Sequence, residues 1–152
     1  MNYLLDTNIV LVYAQNSAMT KRIEKDMQLF NGKNNLFISI VTVGEIESLM
    51  LQRQYGERKI KAFRKLLGTF AVIDINIREV ISRYAEIDAY SQGRHPSKNL
   101  PFSARNMGKN DLWIAAISSY YELVLVSTDQ DFNHLDNKYL TVKYIDIEQY
   151  RS

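Results

Sequence analysis

Short apolar runs separated by longer amphipathic stretches constrain this sequence more than any other feature. The runs at 3–5, 36–40, 70–73, 123–126 and 141–145 are each only a few residues long. Between them lie segments whose apolar residues recur at helical spacing, such as Ile77, Val80, Ile81, Tyr84 and Ile87. Strands alternating with crossover helices build a mostly parallel sheet, so the fold class is α/β. In chain order the pattern predicts a strand at 3–5, helices at 7–14 and 20–31, the second ending near Gly32, and a strand at 36–40. A helix opening at Thr42-Val43-Gly44-Glu45 runs to about Tyr55, and beyond Gly56 a basic helix extends to Leu67. The strand at 70–73 leads into the helix marked by Ile77 to Ile87, which fades into a polar loop at 91–108. A helix from Asn110, a strand at 123–126, a short helix at 130–135 and a strand at 141–145 complete the chain. The loop holds both prolines, Pro96 and Pro101, and irregular segments of that length in a compact domain are usually functional or disordered.

At 152 residues and 46% hydrophobic content, the chain fits a single domain, 1–152, that buries its core without metal or disulfide support. It contains no cysteine, which excludes a disulfide framework, a thiolate nucleophile and a zinc-thiolate site. The start, MNYLLDTNIV, has no basic leader region and carries an acid in its first apolar run. No apolar stretch approaches the ~20 residues a membrane helix needs. A cytoplasmic location is the expectation.

Four acids stand at junctions between strands and helices: Asp6, Glu45, Asp111 and Asp129. On the predicted elements, Asp6 and Asp129 follow strands, whereas Glu45 and Asp111 occupy the first turns of helices. Each has a local explanation. Asp6 can cap the helix it precedes, Thr42 with Glu45 matches a capping box, Asn110 can cap a helix whose dipole favours Asp111, and Asp129 can cap the short helix after it. Jointly they point elsewhere, because the carboxyl edge of an α/β sheet gathers strand ends and helix starts into one crevice. Four carboxylates crowded there repel one another unless a cation neutralises them. Oxygen ligands without a histidine cluster favour Mg2+ or Mn2+ over zinc, and such a cluster beside a basic surface suits phosphodiester chemistry.

Net charge is only +2, but its distribution is uneven. Residues 91–110 include Arg94, Lys98, Arg105, Lys109 and His95 with no acid, and residues 53–65 hold six cations against Glu57. The first patch leads directly into Asp111 and is placed to hold a phosphate backbone. The second carries Ile60, Phe63 and Leu67 at helical spacing and reads equally well as the solvated face of an amphipathic helix. His95 and His134 are expected on the surface, His95 as a minor candidate for RNA contact.

Four stretches together carry a family likeness: Leu5-Asp6-Thr7-Asn8, Thr42-Val43-Gly44-Glu45, Asn110-Asp111-Leu112-Trp113-Ile114-Ala115-Ala116, and Val126-Ser127-Thr128-Asp129-Gln130-Asp131-Phe132. Their order and spacing resemble the PIN-domain nucleases, most closely the VapC toxins of VapBC toxin–antitoxin pairs. The resemblance implies a PIN-like three-layer α/β sandwich, with a mostly parallel central sheet flanked by helices. It further implies an endoribonuclease in which one or two Mg2+ or Mn2+ ions activate water for hydrolysis of RNA. Asp6, Glu45, Asp111 and Asp129 would be the metal-binding and catalytic quartet; Asn8 and Ser127 would orient ligands around it, with Asp131 as a fifth acid grouped with them. It also implies a homodimer and a cognate antitoxin whose tail crosses the acidic groove. Other readings are a non-catalytic PIN-like module that binds RNA or protein, and a stand-alone nuclease for RNA processing or structured DNA. The helix after Glu45 carries Ile46, Leu49 and Met50, whose spacing favours core packing over an interaction surface.

Overall fold

The computed structural model describes residues 1–151. Five strands, β1 (Asn2–Leu5), β2 (Asn35–Ser39), β3 (Ala71–Ile73), β4 (Val124–Ser127) and β5 (Thr141–Tyr144), form one sheet in the order β3-β2-β1-β4-β5. Every pairing is parallel. The sequence pattern allowed a mixed sheet; the structure has none. Parallel neighbours require crossovers, and these are supplied by α1 (Thr7–Gln15), α2 (Ala18–Met27), α3 (Ile40–Gln52), α4 (Glu57–Leu67), α5 (Arg78–Ser91) and α6 (Lys109–Tyr121), with 3-10 turns at Gln130–Leu135 and Ile147–Tyr150.

Side-chain alternation along the strands divides the core into two layers. Leu4 and Leu125 pack with Ile87, Leu112, Ile117 and Phe132 on the α5–α6 face. Tyr3, Leu5, Ile38 and Val126 pack with Ile9, Ile23, Ile46 and Phe63 on the α1–α4 face. A sheet covered on both faces is the environment parallel strands need, and the result is the three-layer sandwich.

From β1 the chain steps to β2 and β3 on one side, whereas β4 and β5 occupy the other. The topological switch therefore lies between β1 and β4, where open α/β sheets hold their ligands beyond the carboxyl ends of the strands. Register places Leu5 beside Val126, so the next residues, Asp6 and Ser127, meet at that edge.

Several expected boundaries shift, each for a local reason. Helix α2 begins at Ala18 under a Ser17–Thr20 capping box and stops at Met27, not Asn31. The Glu24 carboxylate accepts the amides of Leu29 (2.9 Å) and Phe30 (2.9 Å) while Gln28 adopts a left-handed backbone, which ends the helix. Helix α3 starts at Ile40, capped by the Ser39 hydroxyl on the Val41 amide. Glu45 therefore lies in the second turn, and Thr42 forms no capping box with it. The N-cap of α6 is Gly108, not Asn110. Ile46 and Met50 are buried, in keeping with core packing.

Candidate acidic site at the carboxyl edge

The β1–β4 switch opens into a cavity of about 710 Å3 lined by Asp6, Asn8, Glu45, Asp111, Trp113 and Asp129. All four acids of the expected quartet border it. Asp6 is the deepest, with 3% of its surface exposed. It caps α1 through the Thr7 amide (2.8 Å) and accepts the Ser127 hydroxyl at 2.7 Å. The Ser127 oxygen in turn accepts the Asp129 amide at 2.9 Å, and Asp129 accepts the Asp131 amide at 2.9 Å. One buried hydroxyl thus joins the ends of β1 and β4 and sets the spacing of two acids.

Glu45 reaches the cavity from α3. Its carboxylate accepts the Thr7 hydroxyl at 2.8 Å, and that hydroxyl also lies 3.0 Å from Thr42 Oγ1. Sequence reading did not assign Thr7 and Thr42 a role here. The signal available was the position of Thr7 between Asp6 and Asn8; the pairing of Thr7 with Thr42 and Glu45 requires the fold.

Asp111 occupies the first turn of α6 beside the positive end of the helix, but among the described residues no group donates a hydrogen bond to its carboxylate. Burial pushes its pKa from 3.8 to about 7, reinforced by Asp6, Asp129, Glu45 and Asp131. Burial also raises Asp6, to about 6, against the lowering effect of its bonds from Ser127 and Thr7. Both shifts come first from burial, and the neighbouring carboxylates add to them. Oxygens of Asp111, Asp129 and Asp131 all lie within 4.8 Å of one another. An all-carboxylate set of that size suits Mg2+ or Mn2+. Asp131 is thus part of the cluster itself, while Asp6 borders the same cavity from the end of β1 and Glu45 from α3. Asn8 is exposed on the cavity wall.

The basic loop, 92–108, is folded against the body of the protein. His95 is not a surface residue: only 9% of its side chain is exposed, and its Nε2 pairs with Glu86 while Nδ1 accepts the amides of Ser97 and Lys98. The Lys98 ammonium lies 3.9 Å from the same carboxylate and 3.4 Å from the Tyr139 hydroxyl. His134 is likewise buried, its Nε2 2.7 Å from Ser91 Oγ. Glu86 on the preceding helix drew the His95 imidazole inward, and the remote Ser91 drew that of His134. Arg105 stands 3.6 Å from Asp131, and Arg94 and Lys109 are exposed. Lys109 borders a shallow pocket shared with Glu45, Gly108 and Asp111.

In the second basic patch, Arg64 forms a bidentate pair with Glu47 at 2.7 and 3.1 Å, Phe63 is buried, and Lys59 lies 3.9 Å over the Tyr55 ring. This is an amphipathic helix with a solvated basic face.

The chain resembles the structure of VapBC2 from Rickettsia felis bound to a promoter DNA fragment, with TM-score 0.73, 19% identity, and coverage of 95% of this chain and 98% of that one. It resembles FitAcB from Neisseria gonorrhoeae at TM-score 0.68 and 19% identity, covering 93% and 96% of the two chains. It also resembles VapBC-1 from nontypeable Haemophilus influenzae at TM-score 0.65 and 23% identity, covering 95% and 98%. No curated protein matches the sequence. The family model described as PIN domain matches residues 3–138, a span that contains all five acids of the crevice, and the chain belongs to the PIN domain family.

Proposed function

We propose that this protein is a divalent-metal-dependent endoribonuclease acting as the toxin of a toxin–antitoxin pair. The observation that carries the reading is Asp111, a half-buried carboxylate without a hydrogen-bond donor, raised to about 7 and packed against Asp129 and Asp131. A helix cap needs no such neighbours, whereas a cation site does.

Asp111, Asp129 and Asp131 would hold the ion, with Asp6 and Glu45 completing the acidic wall. When bound, Mg2+ or Mn2+ neutralises the carboxylates, activates water and stabilises charge on the phosphate. The chain supplies the rest. Ser127 fixes the separation of Asp6 from Asp129, and the Thr7–Thr42 pair aims Glu45. Trp113 and Ile75 give the cavity an apolar wall. Exposed Arg94 and Lys109 are suited to approach of a phosphate backbone, an interaction that weakens as salt rises. Hydrolysis in this mode joins the water oxygen to phosphorus and breaks the bond to the 3′ oxygen, leaving a 5′-phosphate and a 3′-hydroxyl.

Toxin status is supported by likeness to chains solved as VapBC complexes, and a homodimer and an antitoxin partner are part of the proposal. Its test is co-expression with the product of each small reading frame found adjacent to its gene, one of which is expected to suppress both RNA cleavage and growth arrest. Growth arrest and cleavage unchanged by that partner would refute the toxin assignment while leaving the nuclease assignment standing.

A further inference from the structure

Arg105 is the one cation built against the acidic crevice. Among the described residues, no other Lys, Arg or His nitrogen lies within 4.0 Å of Asp6, Glu45, Asp111, Asp129 or Asp131; Arg105 Nη1 stands 3.6 Å from Asp131 Oδ1. Its placement is held from two sides. The Arg105 amide donates to the Ser91 carbonyl at 2.8 Å, and the fully buried Ser91 hydroxyl contacts both Met107 Sδ (3.4 Å) and His134 Nε2 (2.7 Å). Ser91 therefore fastens the end of the loop to the end of α5 and to the 3-10 turn that carries Asp131.

Two buried polar atoms in this corner have no partner among the described residues: Arg105 Nε and His134 Nδ1. The Arg105 Nε–H is a donor without an acceptor, and leaving such a group unsatisfied in the interior is unfavourable. Burial and the Arg105 charge hold the His134 pKa down, at about 4, so the imidazole is neutral and adds no competing cation.

We propose that Arg105 is the internal counter-ion of the acidic cluster, seated between Asp131 and His134, and that it sets the cluster's affinity for divalent cations by competing for Asp131. The inference rests on the metal-site reading above. It assigns Arg105 a positioning task in place of the phosphate contact expected from sequence. A guanidinium never loses its charge at accessible pH, so the competition persists wherever the protein is folded. A fixed positive charge beside a cation site weakens that site by an amount governed by distance and local dielectric.

The test is calorimetric titration of Mn2+ into the chelator-treated full chain, comparing wild type with Arg105→Gln, Arg105→Lys, Asp131→Asn and the Arg105→Gln, Asp131→Asn double variant, with folding checked by circular dichroism. Arg105→Gln is expected to bind Mn2+ roughly tenfold more tightly, and Arg105→Lys, which keeps the charge, to stay within about threefold of wild type. In the Asp131→Asn background the gain from Arg105→Gln should fall below about threefold, because the pair is already broken. Should Arg105→Gln fail to fold, Arg105→Met carries the same expectation. Unchanged or weaker binding in the neutral variant overturns the proposal, as does a full gain that persists without Asp131. A wild type that binds no Mn2+ overturns the metal-site reading as well, whereas normal wild-type binding indifferent to Arg105 overturns this inference alone.

Discussion

Asp111 and Ser127 show how single residues carry the site. Asp111 is charged at a cost, so Asp111→Asn is expected to stabilise the metal-free protein at pH 8 by about 1–2 kcal/mol, after allowing for partial exposure of the group. The same substitution should abolish the rise in melting temperature that Mn2+ gives the wild type; differential scanning calorimetry with and without Mn2+ reads both effects. Ser127→Ala acts differently. It strips Asp6 of its closest donor (2.7 Å) and leaves the Asp129 amide without its acceptor, so a loss of about 1–3 kcal/mol is expected in urea unfolding. Mn2+ affinity should fall about 10–100-fold, the usual penalty for removing a group that orients ligands. The four acids stood out in the sequence because each sits at a strand or helix end whose local chemistry favours a carboxylate, whereas Ser127 stood out only through the resemblance of the stretch that carries it. The placement of Arg105 and His134 was not legible, because the partners that fix them, Asp131 for one and Ser91 for the other, are remote along the chain. Thr7 and Thr42 were missed for the same reason; Asp131 was grouped with the orienting residues, and its closeness to Asp111 and Asp129 follows only from the folded turn after β4.

At the scale of elements, the strands were read almost to the residue, since short apolar runs bounded by polar ones leave little freedom. Helix ends were less legible. The sequence at Thr42 to Glu45 mimics a capping box, but Ser39 captures the start of α3 first, and Glu24 closes α2 by reaching forward to two amides that periodicity alone assigns to the helix. The loop at 92–108 behaves as an element in its own right. His95 fastens its first half to Glu86 on α5, and Ser91 with Met107 fastens its second. Replacing His95 by Ala is therefore expected to speed amide exchange at Ser97 and Lys98, which lose their shared acceptor, by at least about tenfold. Exchange in β1 and β4 should stay unchanged. Equal acceleration in the strands would mean that His95 supports the whole fold and not the loop alone.

For the whole molecule, the titrating groups set a pH dependence. Between the ordinary value of 3.8 and the folded values of about 6 for Asp6 and about 7 for Asp111, the folded chain holds protons that the unfolded chain releases. Stability contributed by these two carboxyls therefore falls as pH rises through that window. His134 opposes them between about 4 and 6.5, because there the unfolded chain binds the extra proton. Above pH 6.5 the carboxyls alone remain, and metal-free stability is expected to decline through pH 7 and level off near about pH 8. Saturating Mn2+ should reverse that slope, since the ion binds the deprotonated carboxylates. Chemical denaturation at half-unit pH steps, with and without Mn2+, checks the sign in each arm. Metal-free stability that climbs between pH 6.5 and 7 would show that the carboxyls are not raised. A mostly parallel sheet follows from the alternation of runs and helices, but which acids share one oxygen cluster depends on the β1–β4 switch and on the turn after β4.

The most direct measurement is cleavage of end-labelled small RNA by the purified protein with Mn2+ or Mg2+, set against EDTA and against Asp111→Asn. Metal-dependent products ending in 5′-phosphate and 3′-hydroxyl, lost in EDTA and reduced at least about a hundredfold in the variant, are expected. Cleavage that survives both EDTA and Asp111→Asn, or none at all from a folded protein that binds Mn2+, would contradict the assignment of this crevice as a metal-dependent ribonuclease site.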